Sequence, residues 1–87
     1  MIKNRLNKLC GLVLHDIKDK NELFKLCLKY KIPITYPEVF IDDKIYYLWG
    51  ISKDGVGLIG TIIMNCLEKS GDTIFTSIND LKEYLES

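Results

Sequence analysis

Apolar residues at helical spacing mark the clearest element of this chain, a helix over residues 21–31. One apolar stripe recurs at intervals of three and four residues: Leu23, Leu26, Cys27 and Tyr30. Asp19 or Asn21 can cap the N-terminus by accepting backbone N–H bonds. Pro33 ends the helix, because the residue before a proline is pushed away from helical angles. We expect the stripe to belong to the core rather than to a cofactor site.

Two segments fit more than one pattern. Residues 2–17 carry apolar side chains at helical spacing, yet the later part also matches a buried strand that contains Gly11. We favour a short basic tail or helical turn over residues 1–8, followed by a strand over residues 10–17. Residues 56–69 have polar positions at helical spacing and end in Ser70-Gly71, which suits a helix C-cap. The β-branched residues at 61–63 favour a strand instead; we favour the helix.

The middle of the chain is rich in residues that prefer strands. Residues 39–41 and 44–51 flank Asp42-Asp43, which predicts a hairpin turn between two strands. Residues 45–49 (IYYLW) are apolar or aromatic on both faces. Such a strand is either central in its sheet or covered by a partner. A second turn is predicted at residues 53–55.

The C-terminal part predicts a short strand over residues 73–76 and then a helix. Ser77 and Asp80 have the spacing of a capping box, and the following inward positions are Ile78, Leu81, Tyr84 and Leu85. With 87 residues the chain has the length of one domain. We therefore predict one compact domain over residues 1–87 of the α+β class, with an antiparallel or mixed sheet and two to three helices.

Composition indicates a cytoplasmic protein without a membrane segment. The chain is 47% hydrophobic and 28% charged, and no run approaches the roughly 18 apolar residues of a membrane helix. Its first residues lack the features of a signal peptide. Three cysteines, Cys10, Cys27 and Cys66, lie in apolar runs without the spacing of a metal or redox motif. We expect them to be buried and reduced, and we expect no metal.

Charge is divided unevenly although the net charge is zero. Residues 1–31 hold three acids and eight basic residues: Lys3, Arg5, Lys8, Lys18, Lys20, Lys25, Lys29 and Lys31. An RNA-binding module that uses these side chains is the alternative function. Its binding would be sensitive to salt and weakly specific, because lysines contact phosphates as point charges. Tyr36, Tyr46 and Tyr47 are candidates for stacking on bases. A solvated lysine-rich helix face accounts for the same pattern.

One glycine motif matches the dinucleotide-binding fingerprint: Gly55, Gly57 and Gly60, with Asp72 near the expected ribose-binding position. The fingerprint needs a strand, a tight turn and a helix in that order, and the chain is short for a full dinucleotide fold. A small nucleotide-binding domain is therefore the third choice. His15 is the only histidine, and no nucleophile motif is present. We expect neither an enzyme nor a cofactor.

Aromatic content favours a protein-binding function. Nine aromatic residues are many for a core of this size, and Tyr and Trp are enriched at interfaces. The candidate contact residues are Tyr36, Phe40, Tyr46, Tyr47 and Trp49 with the acids Asp42 and Asp43. A well-packed core with one or two surface tyrosines would account for the same residues. So would a homodimer that pairs the basic part with the acidic part.

From residue 17 to residue 85 the chain resembles, in layout, the small accessory proteins of tailed bacteriophages. The similar stretches are residues 16–23 (DIKDKNEL), 45–49 (IYYLW) and 71–81 (GDTIFTSINDL). The resemblance implies a host-takeover or anti-defence protein that binds a host component. We therefore expect a non-enzymatic inhibitor in the host cytoplasm, directed at a host protein or ribonucleoprotein such as a defence system or toxin.

Overall fold

The computed structural model describes residues 6–87, which form four strands and four helices. In chain order these are β1 (Cys10–Val13), α1 (Ile17–Lys29), α2 (Glu38–Ile41), β2 (Leu48–Ser52), β3 (Gly55–Leu58), α3 (Thr61–Lys69), β4 (Ile74–Phe75) and α4 (Ile78–Glu86). The strands form one mixed sheet in the order β3-β2-β1-β4. The α+β prediction is confirmed. The helix beyond the expected two to three is the single-turn α2.

The first strand and helix have different limits from those predicted. β1 stops at Val13, and α1 begins at Ile17 because Asp16 is its N-cap, accepting the N–H of Asp19 at 2.9 Å. Neither Asp19 nor Asn21 caps this helix. Leu6, within the stretch expected to be a tail or turn, is fully buried, and its carbonyl accepts the N–H of Lys53.

Helix α1 ends two residues before the predicted position. Lys31 adopts φ 57°, a left-handed conformation, and Ile32 donates its N–H to the Cys27 carbonyl at 2.9 Å. This is the hydrogen bond of a Schellman C-cap. Pro33 therefore follows a helix that has already closed. The predicted stripe is confirmed as core, since Leu23, Leu26 and Cys27 are buried.

The predicted hairpin at Asp42-Asp43 is wrong. Residues 38–41 form α2, residues 42–47 form a loop, and β2 begins only at Leu48. The carboxylate of Asp42 accepts hydrogen bonds from the side chains of Lys20 and Tyr46 and does not form a hairpin turn. The turn predicted at residues 53–55 is confirmed: it joins β2 to β3, and Gly55 has φ 154°, which other residues rarely adopt.

The ambiguous segment 56–69 contains both predicted structures. Its first part lies in β3, which pairs antiparallel with β2, and the helix α3 begins at Thr61 after the N-cap Gly60. Gly71, with φ 73°, follows the C-cap Ser70 as expected. The predicted cap at Ser77 is confirmed, because its hydroxyl accepts the N–H of Asp80 at 3.2 Å.

The two faces of the sheet are covered differently. Leu12 and Trp49 are cross-strand partners with 0% exposure and pack with α1 and α4 in the main core. The next cross-strand pair is Gly11 and Gly50. Because side chains alternate along a strand, the Cα hydrogens of these glycines that replace a side chain lie on the opposite face of the sheet. There α3 packs against β1 through Met64. Within residues 6–87 no helix combines the length and apolar character needed to cross a membrane.

Candidate functional site

Two of the predicted contact residues belong to the core. Trp49 is 0% exposed and Phe40 is 6% exposed, with their ring centroids 5.1 Å apart. The indole N–H of Trp49 donates to the Tyr46 carbonyl at 2.7 Å, and the Tyr46 ring meets the indole edge-on. The prediction that Phe40 and Trp49 contact a partner is therefore wrong for the folded domain, because their surfaces are used in packing.

Lys20 is the one buried charged residue of the described chain, with 1% exposure. Its ammonium group donates to the Asp42 carbonyl at 2.9 Å, to Oδ1 of Asp42 at 2.8 Å and to the Lys44 carbonyl at 2.6 Å. It also lies 5.4 Å from the centre of the Tyr46 ring. Because all three protons are used, Lys20 is unavailable to a phosphate. Its assignment to an RNA-binding face is corrected.

Asp42 completes this network from the loop side. Oδ1 also accepts the N–H of Lys44 at 3.0 Å, and Oδ2 accepts the hydroxyl of Tyr46 at 2.6 Å. The hydrogen bond from Lys20, followed by that from Tyr46, lowers the pKa of Asp42 from 3.8 to about 2. The bond to Asp42 raises the pKa of Tyr46. These contacts hold the loop 42–47 against α1, so Asp42 stabilises the fold, while Asp43 is exposed.

Tyr36 and Tyr47 are the exposed members of the predicted aromatic set. Their exposures are 59% and 57%, and Tyr46 is half-buried. Tyr36 follows the segment that pairs with β3, since Ile34 forms a parallel bridge with Val56. Tyr36 lines a groove on the sheet, whereas Tyr47 is not part of that groove. The structure therefore separates two residues that the sequence grouped together.

The glycine motif is not a nucleotide-binding turn. Gly55 and Gly57 lie in β3 of an antiparallel hairpin, and Gly60 is the N-cap of α3. The fingerprint requires its glycines between a parallel strand and a helix, so its structural context is missing. The glycines instead form part of a row across three strands, because Gly57 pairs with Gly50 and Gly50 pairs with Gly11.

This glycine row is covered at one end and open at the other. A Cβ atom on Gly11 would lie 2.7 Å from Sδ of Met64, and one on Gly50 would lie 2.9 Å from Cγ2 of Ile59. A Cβ atom on Gly57 would have no heavy atom within 4 Å. The second face of the sheet is therefore packed at β1 and unfilled at β3.

The unfilled part is a groove of about 290 Å³ that is open above Gly57. Its lining is mostly apolar or small: Leu9, Thr35, Tyr36, Gly50, Ser52, Asp54, Gly55, Val56, Gly57, Leu58 and Ile59. Leu9 is 40% exposed and Leu58 is 41% exposed. Ile62, in the first turn of α3, is 78% exposed. We name these lining residues the β3 groove.

Sequence reasoning missed the β3 groove. The groove forms because the pairing register of β2 and β3 places Gly50 beside Gly57. This register cannot be predicted from a short stretch of sequence. One signal in the sequence could have indicated the groove: Gly55 and Gly57 are two residues apart, as on one face of a strand. Glycines in a strand are typical of places where another backbone or a ligand comes close, and this pattern also fits the nucleotide-binding motif.

The basic residues form a broken rather than a continuous positive face. Lys8, Lys18, Lys25 and Lys31 are exposed. Nζ of Lys29 lies 3.7 Å from Oε2 of Glu86, so an acid of α4 partly neutralises this lysine. Glu22 of α1 lies among these lysines, and its Oε1 is 3.9 Å from Nζ of Lys82. Lys3 and Arg5 lie outside the described residues.

The cysteines and His15 differ in their exposure to solvent. Cys10 and Cys27 are buried as predicted, and burial raises the pKa of Cys27 to about 12. Cys66 is exposed on α3, which corrects the expectation that all three are buried. His15 is exposed, and its Nε2 lies 2.9 Å from the Thr76 carbonyl. No three His, Cys, Asp or Glu side chains of residues 6–87 are grouped as metal ligands.

Comparison with known proteins identifies no relative: no family model, no curated protein and no solved structure matches this chain.

Proposed function

We propose that this chain is a non-enzymatic binding protein that acts by occupying the surface of another protein. The observation that carries the proposal is the β3 groove, where exposed Leu9, Tyr36 and Leu58 line a concave surface that is unfilled above Gly57. Apolar side chains gathered around a concave surface are typical of interaction sites. The proposed contact surface therefore lies on the second face of the sheet and not on residues 45–49, as the sequence had suggested.

The resemblance to phage accessory proteins supports a host protein or ribonucleoprotein as the target. Under this proposal the protein works in the host cytoplasm and inhibits a defence system or a toxin by covering a surface that the target needs. The mechanism requires only stoichiometric binding, and its affinity comes from burial of apolar area on both partners.

RNA binding is less well supported by the arrangement of charge. Lys20 is used inside the fold, Lys29 faces Glu86, and the charged residue among the described groove residues is the acid Asp54. A phosphate backbone would be repelled there. Reversal of Lys25 and Lys29 to Glu together is expected to leave recovery of the target unchanged, whereas loss of an RNA ligand on this change would favour the alternative.

The decisive experiment is affinity purification of the tagged full chain from host cytoplasm, with protein and nucleic acid in the eluate analysed separately. Tyr36→Ala is compared with Tyr47→Ala, because the two tyrosines are equally exposed and only Tyr36 lines the groove. We expect a stoichiometric protein that is lost with Tyr36→Ala and retained with Tyr47→Ala. Recovery of RNA without a protein would contradict the proposal. Equal recovery of the protein with the unmodified chain, Tyr36→Ala and Tyr47→Ala would also contradict it.

A further inference from the structure

We infer that residues 33–37 (PITYP) form a strap that closes the edge of β3 against a second copy of this chain and thereby keeps the protein monomeric. The inference concerns the fold itself and does not depend on the proposed binding function. Three observations carry it: the position of β3 at the edge of the sheet, the hydrogen bond that joins β3 to the strap, and the prolines at both ends of the strap.

The two edge strands of the sheet, β3 and β4, are protected in different ways. β4 has only two residues, and so short a strand offers little to a further strand. β3 has four residues (GVGL), with neither a charged side chain nor a proline to prevent pairing with another chain. An apolar edge of this kind is prone to such pairing, so β3 needs protection from outside the strand.

The strap supplies that protection at the middle of β3. Val56 donates its N–H to the Pro33 carbonyl at 3.0 Å, and Ile34 forms a parallel bridge with Val56. Because backbone groups alternate in direction along an antiparallel strand, Val56 and Leu58 are the residues of β3 that face away from β2. With Val56 bonded to the strap, Leu58 is the one outward-facing residue of β3 that is left. A strand usually has at least about three residues, so this position is too short to hold one.

The strap is a fixed cover that does not itself become a new edge. Pro33 and Pro37 are the two prolines of the chain, and both lack the N–H that a further strand would need. The strap is held at both ends, since Ile32 before it is 5% exposed and Phe40 after it is 6% exposed. Ile34 packs against the same core as a partly buried side chain.

A second copy of the chain is the partner that this cover excludes. In a two-fold antiparallel pair of β3 strands centred on Gly57, Val56 of one copy would lie opposite Leu58 of the other, and these are the outward-facing residues. No charge opposes this pairing, because residues 55–58 are uncharged. Release of the strap is therefore expected to convert the monomer into a dimer with one continuous sheet.

The test releases the strap by Ile34→Gly, which removes its apolar anchor and gives its backbone more freedom. The mass of the full chain is measured by light scattering after size-exclusion chromatography. We expect the unmodified chain to have the mass of one copy and Ile34→Gly to have about twice that mass. Circular dichroism verifies that each variant is folded. Ile34→Ala, which loses the same anchor with a less flexible backbone, replaces the glycine variant if the latter unfolds.

Two further variants separate loss of the strap from a general loss of stability. Tyr84→Ala removes a partly buried side chain of the same core near the opposite edge of the sheet, where its ring lies 5.2 Å from that of Phe75. We expect this variant to remain monomeric. The double variant Ile34→Gly/Leu58→Lys places a charge on the released edge and is expected to return to one copy, because lysine on an edge strand prevents pairing.

Three results would overturn the inference. The first is a folded strap variant that stays monomeric. The second is a dimer of the unmodified chain that Leu58→Lys disperses, because the edge would then be open in the native protein. The third is equal association of Ile34→Gly and Tyr84→Ala, since reduced stability alone would account for it. Recovery of the cellular partner with Tyr36→Ala tests the proposed function separately.

Discussion

The ammonium nitrogen of Lys20 lies 2.8 Å from Oδ1 of Asp42, and the two side chains join helix α1 to the loop that follows α2. Lys20 is 1% exposed, whereas the side chain of Asp42 is 32% exposed. The pair therefore has a buried cation and an anion at the boundary with solvent. Through Asp42 and Tyr46 it supports the packing of Trp49, whose indole N–H bonds the Tyr46 carbonyl.

Replacement of Lys20 tests the role of this pair in stability. We expect Lys20→Met to lower the free energy of unfolding by about 2–3 kcal/mol, because two carbonyls and a carboxylate lose their donor. The value is at the low end for a broken buried pair, since water can reach Asp42. Urea unfolding followed by Trp49 fluorescence measures it. Lys25→Met, at an exposed position of the same helix, is the control, with an expected change below about 0.5 kcal/mol. Equal effects of the two changes would show that the network is not stabilising.

The pH dependence of stability follows from the same carboxylate. The pKa of Asp42 is lowered from 3.8 to about 2 in the folded state, first by the hydrogen bond from Lys20. Its contribution is therefore fully present above the unfolded pKa and is lost as pH falls through 3.8 towards about 2. We expect the stability difference between the unmodified chain and Asp42→Asn to be constant above pH about 5 and to shrink below it. Urea midpoints between pH 7 and pH 2.5 measure this. Asp43→Asn serves as the control, and a difference that stays constant to pH 2.5 would contradict the assignment.

Two positions of the glycine row, Gly11 and Gly57, are expected to respond differently to substitution by alanine. We expect Gly11→Ala to destabilise the fold by about 1–2 kcal/mol, because its Cβ would lie 2.7 Å from Met64 Sδ and 3.2 Å from Ile74 Cγ1, which forces repacking. Gly57→Ala meets no atom within 4 Å and is expected to leave stability unchanged or slightly raised. Thermal melts of the two variants make the comparison. A large loss with Gly57→Ala would show that the second face is packed at β3.

Thiol reactivity distinguishes the three cysteines. Cys66 is exposed, while Cys10 and Cys27 are buried and burial raises the pKa of each thiol, that of Cys27 to about 12. Because the thiolate is the reactive form, we expect one fast-reacting thiol in the native protein and three after denaturation. Titration with a chromogenic disulfide measures the number, and Cys66→Ser should remove the fast phase. Rapid reaction of a second thiol in the native protein would contradict the burial of Cys10 or Cys27.

Local signals were reliable where one short stretch decides the structure. Adjacent residues correctly predicted four features: the apolar stripe of α1, the cap at Ser77, the C-cap at Gly71 and the turn before Gly55. Two local predictions failed, because Asp16 rather than Asp19 or Asn21 caps α1 and because the helix closes at Lys31 before Pro33. A further error arose where a distant partner competes for a side chain. Asp42 was expected to form a turn with its own neighbours, but it bonds Lys20, which lies 22 positions earlier.

The same distinction applies to the candidate site. Tyr36, Tyr47 and Trp49 could not be ranked from the sequence, because aromatic side chains suit a core and an interface equally well. Packing decided that Trp49 is buried and that the two tyrosines are exposed. The location of Tyr36 within the groove depends on the parallel bridge between Ile34 and Val56, which joins segments 22 residues apart.

The sequence by itself determined the α+β class, the amphipathic stripe of α1 and the caps at Ser77 and Gly71, because each depends on spacing within a few residues. Only the tertiary structure decided that Lys20 is buried, that the glycines of three strands lie in one row and that the row is open at Gly57. Those features arise from the register of paired strands and from the burial of a charge beside a distant acid. Both are set by long-range contacts that compete across the whole chain.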